Sequence, residues 1–353
     1  MKAYERAVQM MQELGADGFL VNNMANIRYL SGYTNDTGCL LLTKNGRYLF
    51  TDFRFVFQAK EEAKDFTVVT VEGGYAPVIA EYVKKEQVQT LAFEMQDVTH
   101  EHYLLFAQHI PAKLLPVKNE LSRLRRIKTP DELAYLREAE HIGDLAFREI
   151  LPSLVPGTTE IEIAAKLEFF MKMHGADGIS FPAIVASGIH SSMPHAMPSE
   201  KKLEKGDFVT MDFGCTYHGY CSDMTRTVVI GKANEKQKEI YGIVLEAQLA
   251  TLAKLKSGMT GKEVDSVARD IIAAAGYGNC FGHSLGHSVG LEIHEMPVSS
   301  QKCSDVLEAG MLMTVEPGIY VEGFGGVRIE DMVIVTEEGC ENLAFSPKEL
   351  MEL

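Results

Sequence analysis

Two stretches of this chain repeat each other about a hundred residues apart, and any fold has to accommodate that duplication. PGTTEIEIAAKLEFFMKMHGA (Pro156–Ala176) aligns with SGMTGKEVDSVARDIIAAAGY (Ser257–Tyr277), so that Gly157 matches Gly258, Thr159 matches Thr260, Glu162 matches Glu263 and Gly175 matches Gly276. A long helical pattern precedes each copy, and strands rich in His, Ser and Gly follow it. The simplest architecture is a duplicated α+β unit whose halves pack about a pseudo-twofold axis. A cleft between such halves is a natural place for a site.

The first copy leads into DFVTMDFGCTYHGYCSDMTRTVVI (Asp207–Ile230), which reads as two strands folded back on each other. With Tyr217 and His218 at the turn, Asp212 falls opposite Asp223. Opposed residues of an antiparallel pair have Cβ atoms roughly 4.5–5.5 Å apart on one face. Two carboxylates that close repel each other, and a cation between them relieves the repulsion.

The second copy leads into FGHSLGHSVGLEIHE (Phe281–Glu295), with His283, His287 and His294 in a Gly-rich stretch. MLMTVEPGIY (Met311–Tyr320) then delivers Glu316 at the end of an apolar strand, ahead of a Pro-Gly turn. GGVRIEDMVIV (Gly325–Val335) reads as one further strand, on which the spacing of Arg328 and Glu330 predicts a shared face and a possible internal ion pair. Asp212, Asp223, Glu316 and Glu330 all lie on strands that otherwise read as core. Four buried carboxylates are costly unless they take up protons or bind cations. Two divalent ions neutralise the set, and His287 completes a five-ligand dinuclear site. Oxygen-rich ligation with one imidazole suits Mn²⁺, and also Co²⁺, Fe²⁺ or Zn²⁺.

The first third alternates helix and strand: a helix over Lys2–Leu14, a strand over Gly18–Val21, and a hairpin over Cys39–Phe50 with Asn45-Gly46 as a type I′ turn. Helix and strand patterns then alternate to Lys113–Val117, which makes this an α/β layer domain, read as scaffold or substrate gate. A helix over Asn119–Ile127 bridges to the second domain, where Thr129-Pro130-Asp131-Glu132 opens a long helix. The domains are expected at residues 1–122 and 123–353. A net charge of −15 argues against a nucleic-acid partner, and no apolar run is long enough to cross a membrane. Six scattered cysteines without CxxC argue against a thiolate zinc site, and with no signal-peptide pattern at the N-terminus they predict a cytoplasmic protein.

Taken in order, Asp in MDFG, Asp in SDMTRT, His in GHSVGLEIHE, Glu in TVEPGIY and Glu in VRIED resemble the ligand set of the pita-bread metallopeptidases. The resemblance covers nearly the whole chain and implies a creatinase-like N-terminal domain followed by a pita-bread catalytic domain. The junction IKTPDEL (Ile127–Leu133) resembles the proline-specific branch.

That likeness implies that Asp212, Asp223, His287, Glu316 and Glu330 bind two divalent ions, probe of choice Mn²⁺, with Glu316 doubling as general base. It implies that His195 and His294 face substrate and assist catalysis, and that His283 and Arg328 hold substrate. Phe181-Pro182 and His195-Ala196 depart from the usual pattern beside the pocket. The first expectation is an Xaa-Pro aminopeptidase (aminopeptidase P-like) taking peptides with proline at the second position. The alternative is an Xaa-Pro dipeptidase (prolidase). A metal-independent creatinase-like hydrolase and a non-catalytic binding module rank below, because the ligand set is intact. The branch also implies a homodimer.

Overall fold

The computed structural model describes every residue from Met1 to Leu353 and separates into two units, Met1–Arg125 and Arg126–Leu353. The first is built on a six-stranded mixed sheet in the spatial order Thr67–Thr70, Arg47–Thr51, Cys39–Thr43, Gly18–Val21, Thr90–Glu94 and Lys113–Val117. Side chains alternate across it. Phe19, Val21, Leu40 and Leu42 enter one core, while Leu20, Leu41, Tyr48 and Phe50 enter the other. Helices cover both faces, so the central strands read as unbroken apolar runs.

Three local expectations in this unit change. Asn45 and Gly46 do not form a type I′ turn, since neither has positive φ. The Thr43 Oγ1 accepts from the Gly46 N–H at 2.7 Å, and this side-chain bond organises a Thr43–Gly46 loop instead. A helix over Met24–Ser31, capped by Asn23 and ended by Gly32 at φ 81°, has no counterpart in the sequence reading. The helix expected over Asn119–Ile127 shrinks to a 3₁₀ turn at Ser122–Arg125, because Asn119 sits at φ 58°, outside the helical region.

In the second unit the repeated residues are helix caps. Thr159 and Thr260 each accept from the N–H three residues on, at 3.2 Å in both cases, while Glu162 and Glu263 reach back to the threonine N–H at 2.7 Å. These are reciprocal capping boxes. Gly157, Gly258, Gly175 and Gly276 all have φ between +88° and +100°, where a Cβ is strained. Each copy also makes the same backbone bond to the segment ahead of its outgoing strand: Leu203 N–H to the Thr158 carbonyl, and Leu307 N–H to that of Met259. Each half has its own core, one around Phe147, Leu167 and Met211, the other around Val244, Val264 and Met313.

The strands after the helices are also duplicated. Phe208–Phe213 pairs with Met224–Val229, and Leu312–Val315 pairs with Asp331–Val335. Asp212 and Glu316 stand at the end of the outgoing strand in their respective halves. Asp223 and Glu330 each stand one residue before the returning strand. The four acids are thus two copies of one arrangement.

The hairpin register differs from the sequence reading. Its turn is His218-Gly219, at φ 46° and 74°, and Tyr217 pairs with Tyr220. Asp212 therefore lies opposite Thr225, and Asp223 is displaced diagonally by two residues. A slip of two preserves the face, so both carboxylates still enter one pocket. The expected single strand over Gly325–Val335 is likewise broken into Gly325–Arg328 and Asp331–Val335, which join different sheets. The break falls beside Pro317, whose ring nitrogen has no N–H to extend the ladder.

Gly214 sits between the two acids of the first hairpin, and a Cβ there would lie 1.9 Å from the Ser222 carbonyl oxygen. Gly214→Ala is expected to lower the stability of the second unit by about 2–4 kcal/mol, because backbone has to move. Denaturant unfolding measures this, and a loss within 0.5 kcal/mol, the range of roughly neutral surface changes, would contradict it.

Candidate active site

Asp212, Asp223, Glu316 and Glu330 line one pocket of about 490 Å³ together with His195, His283, His287, His294 and Arg328. Its remaining wall is largely apolar and includes Phe181, Pro182, Ile184, Met197, Ile293 and Val298. Ala196 does not line the pocket and is buried in a small cluster with Ile184 and Ala186.

Asp223, Glu316 and Glu330 stand just outside the ends of their strands, whereas Asp212 sits within its ladder between Thr225 and Ile184. The Glu316 Oε1 accepts from Thr314 Oγ1 at 3.2 Å, and the Glu330 Oε2 accepts from Thr225 Oγ1 at 2.7 Å. Arg328 donates to the Asp212 Oδ2 at 2.6 Å, to the Tyr320 hydroxyl at 2.7 Å, to Thr225 Oγ1 at 3.0 Å and to the Pro194 carbonyl at 3.2 Å. Its ion-pair partner is Asp212 rather than Glu330, because Arg328 and Glu330 fall on either side of the strand break. Tyr320, Thr225 and Thr314 are absent from the sequence reading as site residues. Thr314 carried a signal there, since two-residue spacing puts it on the face of Glu316; Thr225 and Tyr320 needed the three-dimensional register.

His287 shows most plainly what this pocket is built to hold. Its Nδ1 bonds the Ser288 carbonyl at 3.1 Å, which fixes the proton on that nitrogen. Nε2 then presents a lone pair, and it lies 3.5 Å from the Asp223 Oδ2 and 3.5 Å from the Glu316 Oε1. A lone pair facing two carboxylate oxygens at that distance is repulsive unless a proton or a cation stands between them. Asp223, His287 and Glu330 bring one donor atom each within 4.8 Å of one another. The Asp212 Oδ1 is buried and has no hydrogen-bond partner, an orphan acceptor turned into an acidic pocket.

Titration follows the same logic. Burial pushes Asp223 far above the ordinary carboxylate range, and Glu330 and Asp212 push it further. Burial and the charges of Glu316 and Asp212 do the same to Glu330. Burial lifts Glu316 to about 8, against the pull of Arg328. Burial and His294 lower His287 to about 4, so its imidazole is neutral and able to ligate at neutral pH. Burial and Arg328 likewise hold His283 down to about 4; its Nε2 meets the Tyr320 hydroxyl at 3.0 Å. One guanidinium does not neutralise four acids. The donor set, its charge and its unsatisfied atoms therefore fit divalent cations.

Residues 134–337 match metallopeptidase family M24, and residues 4–127 match the creatinase/prolidase N-terminal domain. The chain is 40% identical to the Xaa-Pro dipeptidase of Pyrococcus furiosus, over 98% of this chain and 99% of that one. The solved Xaa-Pro dipeptidase from Bacillus anthracis superposes with a TM-score of 0.98 at 47% identity, covering 99% of both chains. The solved X-Pro aminopeptidase from Thermotoga maritima superposes with a TM-score of 0.93 at 40% identity, over 100% of both.

Proposed function

This chain belongs to metallopeptidase family M24, with a creatinase-like N-terminal domain ahead of a pita-bread catalytic domain, and on that premise we propose that it hydrolyses Xaa-Pro dipeptides. The observation that carries metal-dependent hydrolysis is the His287 lone pair facing Asp223 and Glu316 in a pocket of four acids. The choice of dipeptides over longer peptides rests on similarity to the dipeptidases of Pyrococcus furiosus and Bacillus anthracis. That similarity moves the aminopeptidase P-like reading to second place.

Asp212, Asp223, His287, Glu316 and Glu330 would hold two divalent ions, with Mn²⁺ the first candidate. When bound, such ions polarise a scissile carbonyl and make a water nucleophilic near neutral pH. The protein's own groups complete the chemistry. Glu316 takes up a proton at its carboxylate and returns it to the departing proline nitrogen, which has no N–H of its own in the peptide bond. His195 and His294 face the same space and donate N–H to the developing oxyanion. His283, braced by Tyr320, borders the substrate space. Arg328 fixes Asp212 and lends its charge to the pocket that receives substrate.

With Mn²⁺ supplied, kcat/KM for an Xaa-Pro dipeptide is expected to exceed that for the matching Xaa-Pro-Xaa tripeptide by about tenfold or more, the scale of a site that reads one polar group. Equal or better turnover of the tripeptide would restore the aminopeptidase reading.

A further inference from the structure

The segment from Ser187 to Ser199 carries Pro194, His195 and Met197 into the pocket, yet its only regular structure is a 3₁₀ turn at Gly188–Ser192. Loops of this kind move unless something ties them, and a catalytic imidazole tolerates little misplacement. Here both ends of the segment are bonded to a single side chain.

Glu160 lies in the first turn of the helix Glu160–Met173 and has no exposure to solvent. Its Oε1 accepts from the Ser187 N–H at 2.7 Å and from Ser187 Oγ at 2.8 Å. Its Oε2 accepts from the Ser199 N–H at 3.1 Å, from Ser199 Oγ at 2.7 Å and from His190 Nδ1 at 2.8 Å. The Ser187 and Ser199 N–H groups can only donate, and both hydroxyls already accept from Lys201, so their protons are free to turn to the carboxylate. The cap of the same helix is already supplied by Thr159 and Glu162, which leaves Glu160 no part in starting it. Glu160 does not line the pocket. Between the tied ends, Ser191 Oγ accepts from the Gly326 N–H at 2.9 Å, and the Pro194 carbonyl accepts from Arg328. The base of the loop is therefore closed by Glu160, while its side leans on the strand that carries Arg328.

We propose that Glu160 is a positioning residue that holds His195 in the pocket and acts on the reaction only through the Ser187–Ser199 segment. This rests on the reading of His195 as a substrate-facing group given under Proposed function. Glu160→Gln turns an amide N–H₂ towards the backbone N–H of Ser187 or of Ser199, neither of which can accept, and so weakens one end of the loop.

The test combines two measurements on the full-length, metal-loaded protein. Glu160→Gln is expected to lower kcat roughly 10- to 100-fold, the scale of a misplaced catalytic group, with metal content unchanged. In a His195→Ala background the same substitution should cost nothing further, since both changes remove one contribution. Hydrogen exchange, read by mass spectrometry without substrate, should rise in residues 187–199 and stay constant elsewhere. An equal fold-loss in both backgrounds, or unchanged exchange in the loop, overturns the proposal. If Glu160→Gln does not fold, Ser199→Ala removes one donor and should give the same non-additive pattern at smaller size; an additive loss there overturns it equally. Should the wild type cleave no Xaa-Pro peptide at all, the dipeptidase reading fails by itself, and the exchange measurement still decides whether Glu160 closes the loop.

Discussion

Replacing Glu330 by Gln should leave a folded protein that no longer loads its full complement of divalent ions and has lost its peptidase activity. Glu330 is 1% exposed and keeps its hydrogen bond from Thr225 whether the side chain is an acid or an amide. Its charge is the part that matters. Removing one anionic ligand is expected to lower kcat/KM by about a thousandfold or more, corresponding to several kcal/mol of metal-assisted stabilisation of the transition state. The same change should raise the melting temperature of the chelated protein, because at nearly constant volume the folded state no longer has to protonate a buried acid or hold its charge. Metal analysis, Xaa-Pro hydrolysis and calorimetry in chelator read the three effects. Wild-type metal content with a wild-type rate would remove Glu330 from the ligand set. Lost activity together with a raised melting temperature separates a ligand from a residue that merely supports the fold.

The chelated wild-type protein should lose stability as pH rises from 6.5 to about 8, and metal should flatten that slope to the part that the buried Glu94 and Glu140 contribute outside the ligand set. The sign follows from the raised carboxylates. Glu316 moves from the ordinary 4.5 to about 8 on folding, so the folded state holds a proton that the unfolded chain has released. Stability from this source is complete below 4.5 and is lost as pH climbs through about 8. Asp223 and Glu330, raised further, act in the same direction. His283 and His287 act oppositely, but only below 6.5, since their folded values fall from 6.5 to about 4. Above 6.5 the acids act alone, and Glu316 by itself contributes a loss on the order of 2 kcal/mol over that window. A chelated melting temperature that stays flat or rises between pH 6.5 and 8 would rule this out.

Much of this molecule was legible in the sequence because its most informative residues act locally. The repeat is written in caps: Thr159 with Glu162, Thr260 with Glu263, and the glycines that end or precede each helix. Those residues obey rules that span four positions, so they can be recognised without knowing the fold. The sheet of the first unit shows through its short apolar runs for the same reason. What escaped depends on competition between distant or unequal forces. Asn45-Gly46 yielded to the Thr43 hydroxyl, and the hairpin register followed Gly219 rather than the count of residues. Arg328 and Glu330 share a spacing that implies one face, but their strand breaks between them and sends each to a different neighbour. Tyr320 and Thr225 stand behind the pocket wall and brace it through Arg328. Ligand identity is thus local chemistry, whereas the bracing around it is a product of topology.

The placement of the acids in duplicate has a mechanical meaning. Asp212 and Asp223 belong to the half with one core, and His287, Glu316 and Glu330 belong to the half with the other. An ion shared by these side chains is a cross-link between the two halves of one compact unit, added to the buried Arg226–Asp331 pair that already joins them. The force that opens this protein should therefore depend on metal. Pulled in chelator, the two halves would part at the seam first; pulled with the ions in place, they would yield together.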